Sequence, residues 1–292
     1  MTDALVEELV ALLRLERLED NLFRGESRDI GTHYVFGGQV LGQALSAAQQ
    51  TVDPARAAHS LHAYFLRAGD IQKPIVYNVE HARDGHSFSV RRVVAIQNGQ
   101  PIFNCAVSFQ IAETGVEHQM SMPDLPKPDD LPPRPEMAPE ELARLPLKLQ
   151  RWLGMRGPFE FRRVYPRDEI NPGKQPPFQH VWFRLIDRAP DDEVLHRAML
   201  AYASDFHLIG TATFPHGISY LQNVQMASLD HALWFHRPFR VDEWLLYSCD
   251  SPTAQGARGL ARGMIYSLDG RLVASTAQEG LIRLRSEPRD TV

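Results

Sequence analysis

The tripeptide Phe65-Leu66-Arg67 in the first half of the chain is matched by Phe235-His236-Arg237 in the second half. Further matches follow in the same order, the last three with one extra residue allowed in a loop: Tyr77 with Tyr247, Gly85 with Gly256, Arg91 with Arg262, and the turn Gln97-Asn98-Gly99 with Leu268-Asp269-Gly270. Repetition of this kind is typical of a chain built from copies of one structural unit. The sequence therefore predicts two units of the same fold.

The first copy predicts a helix followed by antiparallel strands. Gly37-Gly38 opens a helix over residues 36–52, with Val40, Leu41 and Leu45 on its apolar face. Four strand candidates follow, the last two joined by the hairpin signal Asn98-Gly99: residues 60–67, 75–83, 87–97 and 102–111. Ahead of them, residues 5–18 have the leucine spacing of a surface helix.

The second copy predicts the same order of elements. Asp191 or Asp192 can cap a helix that runs from Glu193 to about Asp205. Strand candidates lie on both sides of this helix: residues 159–164, 180–185, 228–237, 243–249, 259–267 and 272–284. Each copy thus offers one largely apolar helix and a set of strands long enough to wrap it.

We expect an α+β fold, because a curved sheet around an apolar helix is the simple way to bury that helix. The two units would cover residues 1–120 and 159–292, joined by a Pro-rich linker over residues 121–158. They would pair edge to edge or pack side by side, either of which hides exposed strand edges.

Composition excludes several classes of protein. The chain has 292 residues, 43% hydrophobic and 23% charged, with a net charge of −5, which is ordinary for a soluble protein and offers no basic footprint for nucleic acid. We expect no membrane insertion and a cytoplasmic location, because no apolar run reaches the ~18 residues of a membrane helix and the N-terminus lacks a signal-peptide pattern. Cys105 and Cys249 lie in apolar runs and are expected to be buried free thiols.

Gln278 is the first candidate site residue. It lies on the mainly apolar face of the strand over residues 272–284, together with Ala274 and Thr276. Its counterpart in the first copy is Val107, so the fold itself does not need an amide there. An unpaired buried amide costs roughly 1–3 kcal/mol, and Gln278 must therefore have partners. A core glutamine satisfied by backbone groups is the alternative.

Asp205 and Ser228 are the other two candidates. Asp205 falls on the same side of its helix as Tyr202 and near the C-terminal end of that helix. Burial and the helix dipole both raise the pKa of a carboxyl group in such a place. That suits a general base, although an aspartate that merely closes a helix is also common. Ser228 opens a long strand and has Ala58 as its counterpart. Its hydroxyl can orient a water or an amide, or it is an ordinary residue at a strand start.

Several well-known catalytic and nucleotide-binding motifs do not occur in the sequence. There is no nucleophile elbow, because Gly85-His86-Ser87-Phe88-Ser89 lacks the final glycine, and no phosphate-binding or dinucleotide-binding loop. The histidines, among them His231, show no metal-ligand spacing and are expected to be solvated or in the core. His59 and His62 are kept as further candidates, because their strand is the counterpart in the repeat of the strand that contains Ser228.

Five strings together resemble the acyl-CoA thioesterase II family: FGGQVLGQAL (36–45), LHAYFLRAGD (61–70), YASDF (202–206), DHALWFHRPF (230–239) and ASTAQEG (274–280). They occur in order over nearly the whole chain. The resemblance implies a double hot-dog fold, with a long helix swaddled by an antiparallel sheet twice per chain. It implies hydrolysis of acyl-CoA thioesters to free fatty acid and CoA, with no metal or nucleotide cofactor, in a homo-oligomer, either a dimer or a tetramer.

The family's catalytic set, an Asp, a Ser or Thr, and a Gln, matches Asp205, Ser228 and Gln278. These three would hold one water, with Asp205 as base, and a backbone N–H near a helix N-terminus would receive the oxyanion. An apolar groove between helix and sheet would take the acyl chain. Two alternatives remain open at this point: a hot-dog enoyl-CoA hydratase or dehydratase, and a non-catalytic acyl-CoA binding module.

Overall fold

The computed structural model describes residues 2–32, 34–132, 140, 143, 150, 156–220 and 224–285. The α-helices in this part of the chain are α1 (Ala4–Leu13), α2 (Gly37–Gln49) and α3 (Glu193–Ala203). The strands of the first half are β1 (Glu16–Glu19), β2 (Leu22–Gly25), β3 (Arg56–Phe65), β4 (Ile75–Asp84), β5 (Phe88–Gln97) and β6 (Gln100–Ile111). Those of the second half are β7 (Phe159–Arg163), β8 (Phe178–Leu185), β9 (Val224–Ser228), β10 (Asp230–Phe235), β11 (Leu245–Gln255), β12 (Arg258–Ser267) and β13 (Leu272–Leu284). Short 3-10 helices cover Pro128–Asp130 and Ile209–His216.

All of these strands belong to one antiparallel sheet with the order β1-β2-β4-β5-β6-β3-β10-β13-β12-β11-β8-β7, and β9 pairs with β13. The two halves meet where β3 pairs with β10, with Ser60 opposite Trp234 and Tyr64 opposite Asp230. The predicted α+β architecture of two helix-and-sheet units joined edge to edge is confirmed.

The two long helices lie back to back inside the sheet. Every residue of α2 after Gly37 is buried, and this includes Gln39 and Gln43, whose side-chain amides donate to the carbonyl of Glu26. Gly38 lies against Tyr202 and Gly42 against Ala198, so α2 and α3 run antiparallel and the start of α2 meets the end of α3. A Cβ on Gly42 would lie only 2.8 Å from the carbonyl oxygen of Ala198, so glycine permits the close approach.

The register of the strands confirms the repeat and corrects part of its alignment. β5 pairs Arg91 with Val107, whereas β12 pairs Ala261 with Gln278, so the counterpart of Arg91 is Ala261 and not Arg262. The extra residue of the second copy lies in the β12–β13 turn, where Ser267 N–H donates to the carbonyl of Arg271 across three residues. The predicted match of Gly85 with Gly256, ahead of that turn, is therefore also wrong.

The two correspondences that point to a site are confirmed by the same register. Val107 and Gln278 occupy equivalent inward positions on β6 and β13. Ala58 pairs with Phe109, and Ser228 pairs with Gly280. Ala58 is followed by a register shift in β3, and Ser228 is the last residue of β9. The scaffold thus carries apolar side chains in one copy and polar side chains in the other.

Several predicted boundaries are wrong. α1 ends at Leu13 and not at residue 18, because the chain turns there into the β1–β2 hairpin, which the leucine spacing does not reveal. The predicted strand over residues 228–237 is divided, so Ser228 ends β9 and does not open a long strand. Asp205 lies two residues beyond the end of α3, in the turn that follows it.

The first part of the predicted linker packs on the outer face of the second unit's sheet. Met122, Leu125 and Leu131 contact a cluster that includes Trp182 and Trp244. The indole Nε1 of Trp182 donates to the carbonyl of Pro126 over 3.0 Å. Most of residues 133–155 lie outside the described part of the chain, and the unit boundaries at 120 and 158 stay predictions.

No helix in the described part of the chain is long and apolar enough to cross a membrane.

The contact between α2 and α3 predicts an unusual sign for Gly42→Ala. In a helix this substitution normally stabilises by up to about 1 kcal/mol. Here the new methyl group collides with the Ala198 carbonyl and with Leu13, so we expect a loss of about 1–3 kcal/mol in the free energy of unfolding. Urea titration measures it. Gly210→Ala, where a Cβ would meet nothing within 4 Å, is the control. A Gly42→Ala variant as stable as the parent would contradict the packing.

Candidate active site

Asp205 lies where the end of α3 meets the start of α2. Its Oδ1 accepts a hydrogen bond from Gln278 Nε2 at 2.7 Å and a longer one from Ser228 Oγ at 3.4 Å. The carboxylate also accepts from the backbone N–H of Gly38. The N-cap residue of α2 is Phe36, whose side chain makes no capping hydrogen bond. A carboxylate supplied by the other unit therefore takes up one of the unpaired amides of that helix.

The environment of Asp205 raises the pKa of its carboxyl group above the usual 3.8. Burial is the largest cause, because it disfavours the charged form. Hydrogen bonds from Gln278, Gly38 and Ser228 act in the opposite direction and lower the pKa. The sequence predicted the raised pKa from burial and from the dipole of α3, but it did not predict the stabilising amide from α2. A carboxyl group tuned in this way can take and return a proton.

Gln278 joins the members of the site. Its side chain is fully buried on β13, and Nε2 lies 2.7 Å from Asp205 Oδ1, 3.1 Å from Ser228 Oγ and 3.2 Å from His231 Nδ1. Within the described part of the chain, its Oε1 has no hydrogen-bond partner. The amide therefore directs its donors toward the protein and leaves a buried acceptor for another molecule.

The structure brings Asp205, Ser228 and Gln278 together, as the sequence predicted. Each comes from a different element: the turn after α3, the end of β9 and the middle of β13. The turn is held by Tyr247, whose hydroxyl donates to the Ser204 carbonyl at 2.9 Å. Asp205 and Ser228 are half-buried, so the cluster combines a buried amide with two groups that solvent can reach.

The first unit completes the site. A Cβ on Gly37 would lie 2.7 Å from Asp205 Oδ2 and 3.0 Å from the ring of Phe65, so glycine opens the approach to the carboxylate. Aromatic rings continue from there: Phe206 lies 4.5 Å from Phe36 and 5.4 Å from Phe161, measured between ring centroids. These half-buried rings form an apolar surface beside the polar cluster.

His231 is a site residue that the sequence reasoning missed. The sequence predicts a solvated or core histidine, and the ring is indeed in the core, but it lies against Gln278 and its Nε2 lies 3.0 Å from Ser204 Oγ. The signal that could have found it is the repeat itself, because its counterpart Leu61 is apolar. His59 and His62 lie elsewhere: His59 contacts Ser108 Oγ, and His62 packs on Trp234.

The equivalent place in the first unit is filled. Thr51 lies two residues past the end of α2, just as Asp205 lies two residues past the end of α3. The guanidinium of Arg91, only 2% exposed, donates to Thr51 Oγ1 at 2.9 Å and to Asp84 Oδ1 at 2.8 Å. Where the second unit has Ala261 and a reachable carboxylate, the first has a buried, fully bonded cation.

Two other observations bear on the choice of site. In the described residues, no group of three or more His, Cys, Asp or Glu side chains is arranged to hold a metal ion. A groove of about 560 Å³ runs along α1, lined in part by Val6, Val10 and Pro190. It does not include any of the three candidate residues, and its lining combines apolar side chains with Thr2, Glu7 and Arg14.

Comparison with known proteins identifies relatives over the whole chain. A family model described as acyl-CoA thioesterase matches residues 158–281, and one described as the acyl-CoA thioesterase N-terminal domain matches residues 24–110. Acyl-CoA thioesterase 2 of Haemophilus influenzae is 45% identical over 97% of this chain and 99% of its own. Acyl-coenzyme A thioesterase 8 of Homo sapiens is 41% identical over 96% of this chain and 90% of its own.

Solved structures agree with these relatives. The crystal structure of an acyl-CoA thioesterase II from Mycobacterium marinum has a TM-score of 0.77 and 46% identity, covering 95% of this chain and 99% of that one. A protein with the hot-dog fold from Alicyclobacillus acidocaldarius has a TM-score of 0.74 at 20% identity, covering 95% and 98%, which bears on the fold alone. The predicted double hot-dog fold is confirmed.

The site predicts a titration that can be followed directly. The carboxyl carbon of Asp205 should titrate with a midpoint above the ordinary 3.8, and Gln278→Val should move that midpoint higher, because it removes the hydrogen bond that lowers the pKa most. Carbon-13 NMR of aspartate-labelled protein measures it, with Asp205→Asn for assignment. Exposed Asp168, whose pKa is lowered by backbone amides, is the internal control. A midpoint at or below 3.8 for Asp205 would contradict the account.

Proposed function

The chain belongs to the acyl-CoA thioesterase II family and is a thioester hydrolase, and from that premise we propose that it converts fatty acyl-CoA to free fatty acid and CoA at the centre formed by Asp205, Ser228 and Gln278. The observation that supports this most is the buried amide of Gln278, which bonds to both other members. Its Oε1, which has no partner among the described residues, is the acceptor that we propose for a water beside the carboxylate. A water between them would be aligned by both.

The first step is attack of that water on the thioester carbonyl carbon. Asp205 accepts a proton from the water while the new C–O bond forms, which leaves a tetrahedral intermediate with an oxyanion. The raised pKa of Asp205 makes it a stronger base than an ordinary aspartate. It also keeps the proton available for the step that follows.

Gln278 and Ser228 position the reactants. Gln278 Oε1 accepts the second hydrogen of the water, while Nε2 fixes the carboxylate of Asp205. Ser228 Oγ accepts from Gln278 and donates to Asp205, so it links the two. Ser228 is an unsuitable nucleophile, because its hydroxyl partners among the described residues are Asp205 and Gln278 rather than a histidine, and the sequence lacks a nucleophile elbow.

The first turn of α2 is proposed to stabilise the oxyanion. Because the Gly38 N–H already donates to Asp205, the donor proposed for the oxyanion is the N–H of Gly37, where the positive end of the helix dipole also favours the developing charge. Removal of a single oxyanion donor costs roughly 2.7–4 kcal/mol in well-studied hydrolases. When the intermediate collapses, the C–S bond breaks and the CoA sulfur takes the proton from Asp205.

The acyl chain is proposed to lie along the aromatic surface formed by Phe36, Phe161 and Phe206. This surface begins next to Asp205 and runs between the helices and the sheet, so a chain placed on it brings its carbonyl end to the carboxylate. Burial of an alkyl chain there contributes about 0.8 kcal/mol per CH₂ group.

We also propose a cytoplasmic location and a homo-oligomer, either a dimer or a tetramer. The two buried free thiols, Cys105 and Cys249, fit a reducing compartment. Exposed Tyr64 and Leu66, near the junction of the two units, are apolar residues that a second copy could cover. Light scattering of the purified chain tests the oligomer, and a monomer at micromolar concentration would contradict it.

Asp205→Asn tests the assigned base. We expect kcat to fall by ~10²–10⁴-fold, because the amide cannot take a proton from water. Thiol release from a medium-chain acyl-CoA, followed with a chromogenic thiol reagent, measures it. Circular dichroism establishes that the variant is folded. Turnover close to that of the parent would show that Asp205 is not the base.

The repeat provides matched substitutions for the other two residues. Gln278→Val and Ser228→Ala place the first unit's side chains in the second unit, and we expect each to lower kcat by about 10- to 100-fold, the range for loss of a hydrogen bond to a charged group. Val107→Ala is the control: it should lower stability by about 0.5–3 kcal/mol and leave kcat within twofold. Equal kcat values for Gln278→Val and Val107→Ala would contradict the assignment.

A further inference from the structure

The side chain of His231 has a partner on each ring nitrogen. Its Nε2 lies 3.0 Å from Ser204 Oγ and its Nδ1 lies 3.2 Å from Gln278 Nε2. The ring is 1% exposed and Ser204 is fully buried. In the first unit the equivalent position on β3 is Leu61, also fully buried, so the scaffold accepts an aliphatic residue there.

The charge state of His231 follows from its surroundings. Burial lowers the pKa of the imidazole to about 3, so the ring is neutral wherever Asp205 is ionised. The titratable groups that face this corner are Asp205, which is bonded to Gln278, and Tyr247, which is bonded to the Ser204 carbonyl. A neutral imidazole has one donor and one acceptor, and its neighbours decide which nitrogen is which.

Ser204 selects the tautomer. Its hydroxyl lies 3.0 Å from the carbonyl of Ala201, which can only accept, so the hydroxyl hydrogen is used there. The serine oxygen then accepts from His231 Nε2–H, and Nδ1 is left as an acceptor. An acceptor at Nδ1 requires a donor opposite it, which is one N–H of Gln278 Nε2. The other N–H of Nε2 is shared between Asp205 Oδ1 and Ser228 Oγ, which lie next to each other.

We propose that His231 is a positioning residue for the reaction: with Ser204 it fixes the Gln278 amide so that Nε2 faces Asp205 and Ser228, and Oε1 faces the water. The chain of hydrogen bonds runs from Ala201 in α3 through Ser204 and His231 to Gln278. If the amide turned over, Oε1 would face the Asp205 carboxylate and Nδ1, which are both acceptors. This inference rests on the proposed function of Gln278.

Three substitutions at one position test the proposal. His231→Leu copies the first unit and removes both nitrogens. His231→Asn can place an oxygen where Nδ1 lies and so restores the acceptor for Gln278. His231→Gln places its amide where Nε2 lies, which restores the contact to Ser204 only. All three are compared by thiol release from a medium-chain acyl-CoA and by thermal unfolding.

The expected result is a fall in kcat of about 10- to 100-fold for His231→Leu and His231→Gln, with KM changed less than threefold, and recovery to within fivefold for His231→Asn. The acid limb of the pH–rate profile should move to higher pH in His231→Leu, because a misplaced Gln278 donates less well to Asp205 and no longer lowers its pKa as much. If His231 only filled space, the acid limb would stay at its parental pH, and His231→Asn and His231→Gln would have similar kcat values.

Two outcomes would overturn the proposal. One is a His231→Leu variant with parental kcat and an unmoved acid limb. The other is equal loss in all three variants, in proportion to their loss of thermal stability. Gln278→Val, measured alongside, separates this failure from that of the proposed function. If Gln278→Val is inactive and His231→Leu is not, only the role of His231 is wrong.

Discussion

The hydrogen bond between Gln278 Nε2 and Asp205 Oδ1, 2.7 Å long, is the interaction on which the site depends. A carboxylate half-removed from water loses solvation worth several kcal/mol, and each hydrogen bond to a charged group returns about 1.5–3 kcal/mol. Gln278, Gly38 and Ser228 supply such bonds and together keep Asp205 ionisable, although burial still raises its pKa. The balance leaves a carboxyl group with a raised pKa, which suits the proposed role of Asp205 as a base.

The hydrogen bonds in that balance come from both units. The amide of Gly38 belongs to α2 in the first unit, whereas the other donors belong to the second. The antiparallel contact of α2 with α3, allowed by Gly38 and Gly42, brings the start of one helix to the end of the other. A contact that serves packing therefore also places the charged residue at a helix N-terminus.

The pseudo-symmetric arrangement could have provided a second centre, and the structure shows why it does not. At that place Arg91 stands where the second unit has Ala261, and its guanidinium is bonded to Thr51 and Asp84. Thr51, Ala58 and Val107 retain neither the base nor the amide. The three polar candidates therefore all lie in the second unit, and the first unit contributes the N-terminus of α2 to them.

Much of this arrangement could be predicted from the sequence. Periodicity and the repeat predicted the helices, most strands and the polar exchange at Gln278 and Ser228, because these depend on local pattern. Three features could not be predicted, because the pairing of strands in the folded chain decides them: the turn after α3, the end of β9 at Ser228, and Ala261 as the counterpart of Arg91 in the repeat. His231 was missed for a different reason. Buried histidines in a sequence look alike until their neighbours are known, and only its comparison with Leu61 would have singled it out.

A crystal structure of the chain with a thioether analogue of an acyl-CoA, in which CH₂ replaces the thioester carbonyl, tests the central claim most directly. The account predicts one molecule per chain, with that CH₂ beside Asp205 and Gln278 and the acyl chain against Phe36 and Phe206. A second molecule beside Arg91 and Val107, or a single one bound away from all three polar side chains, would contradict it.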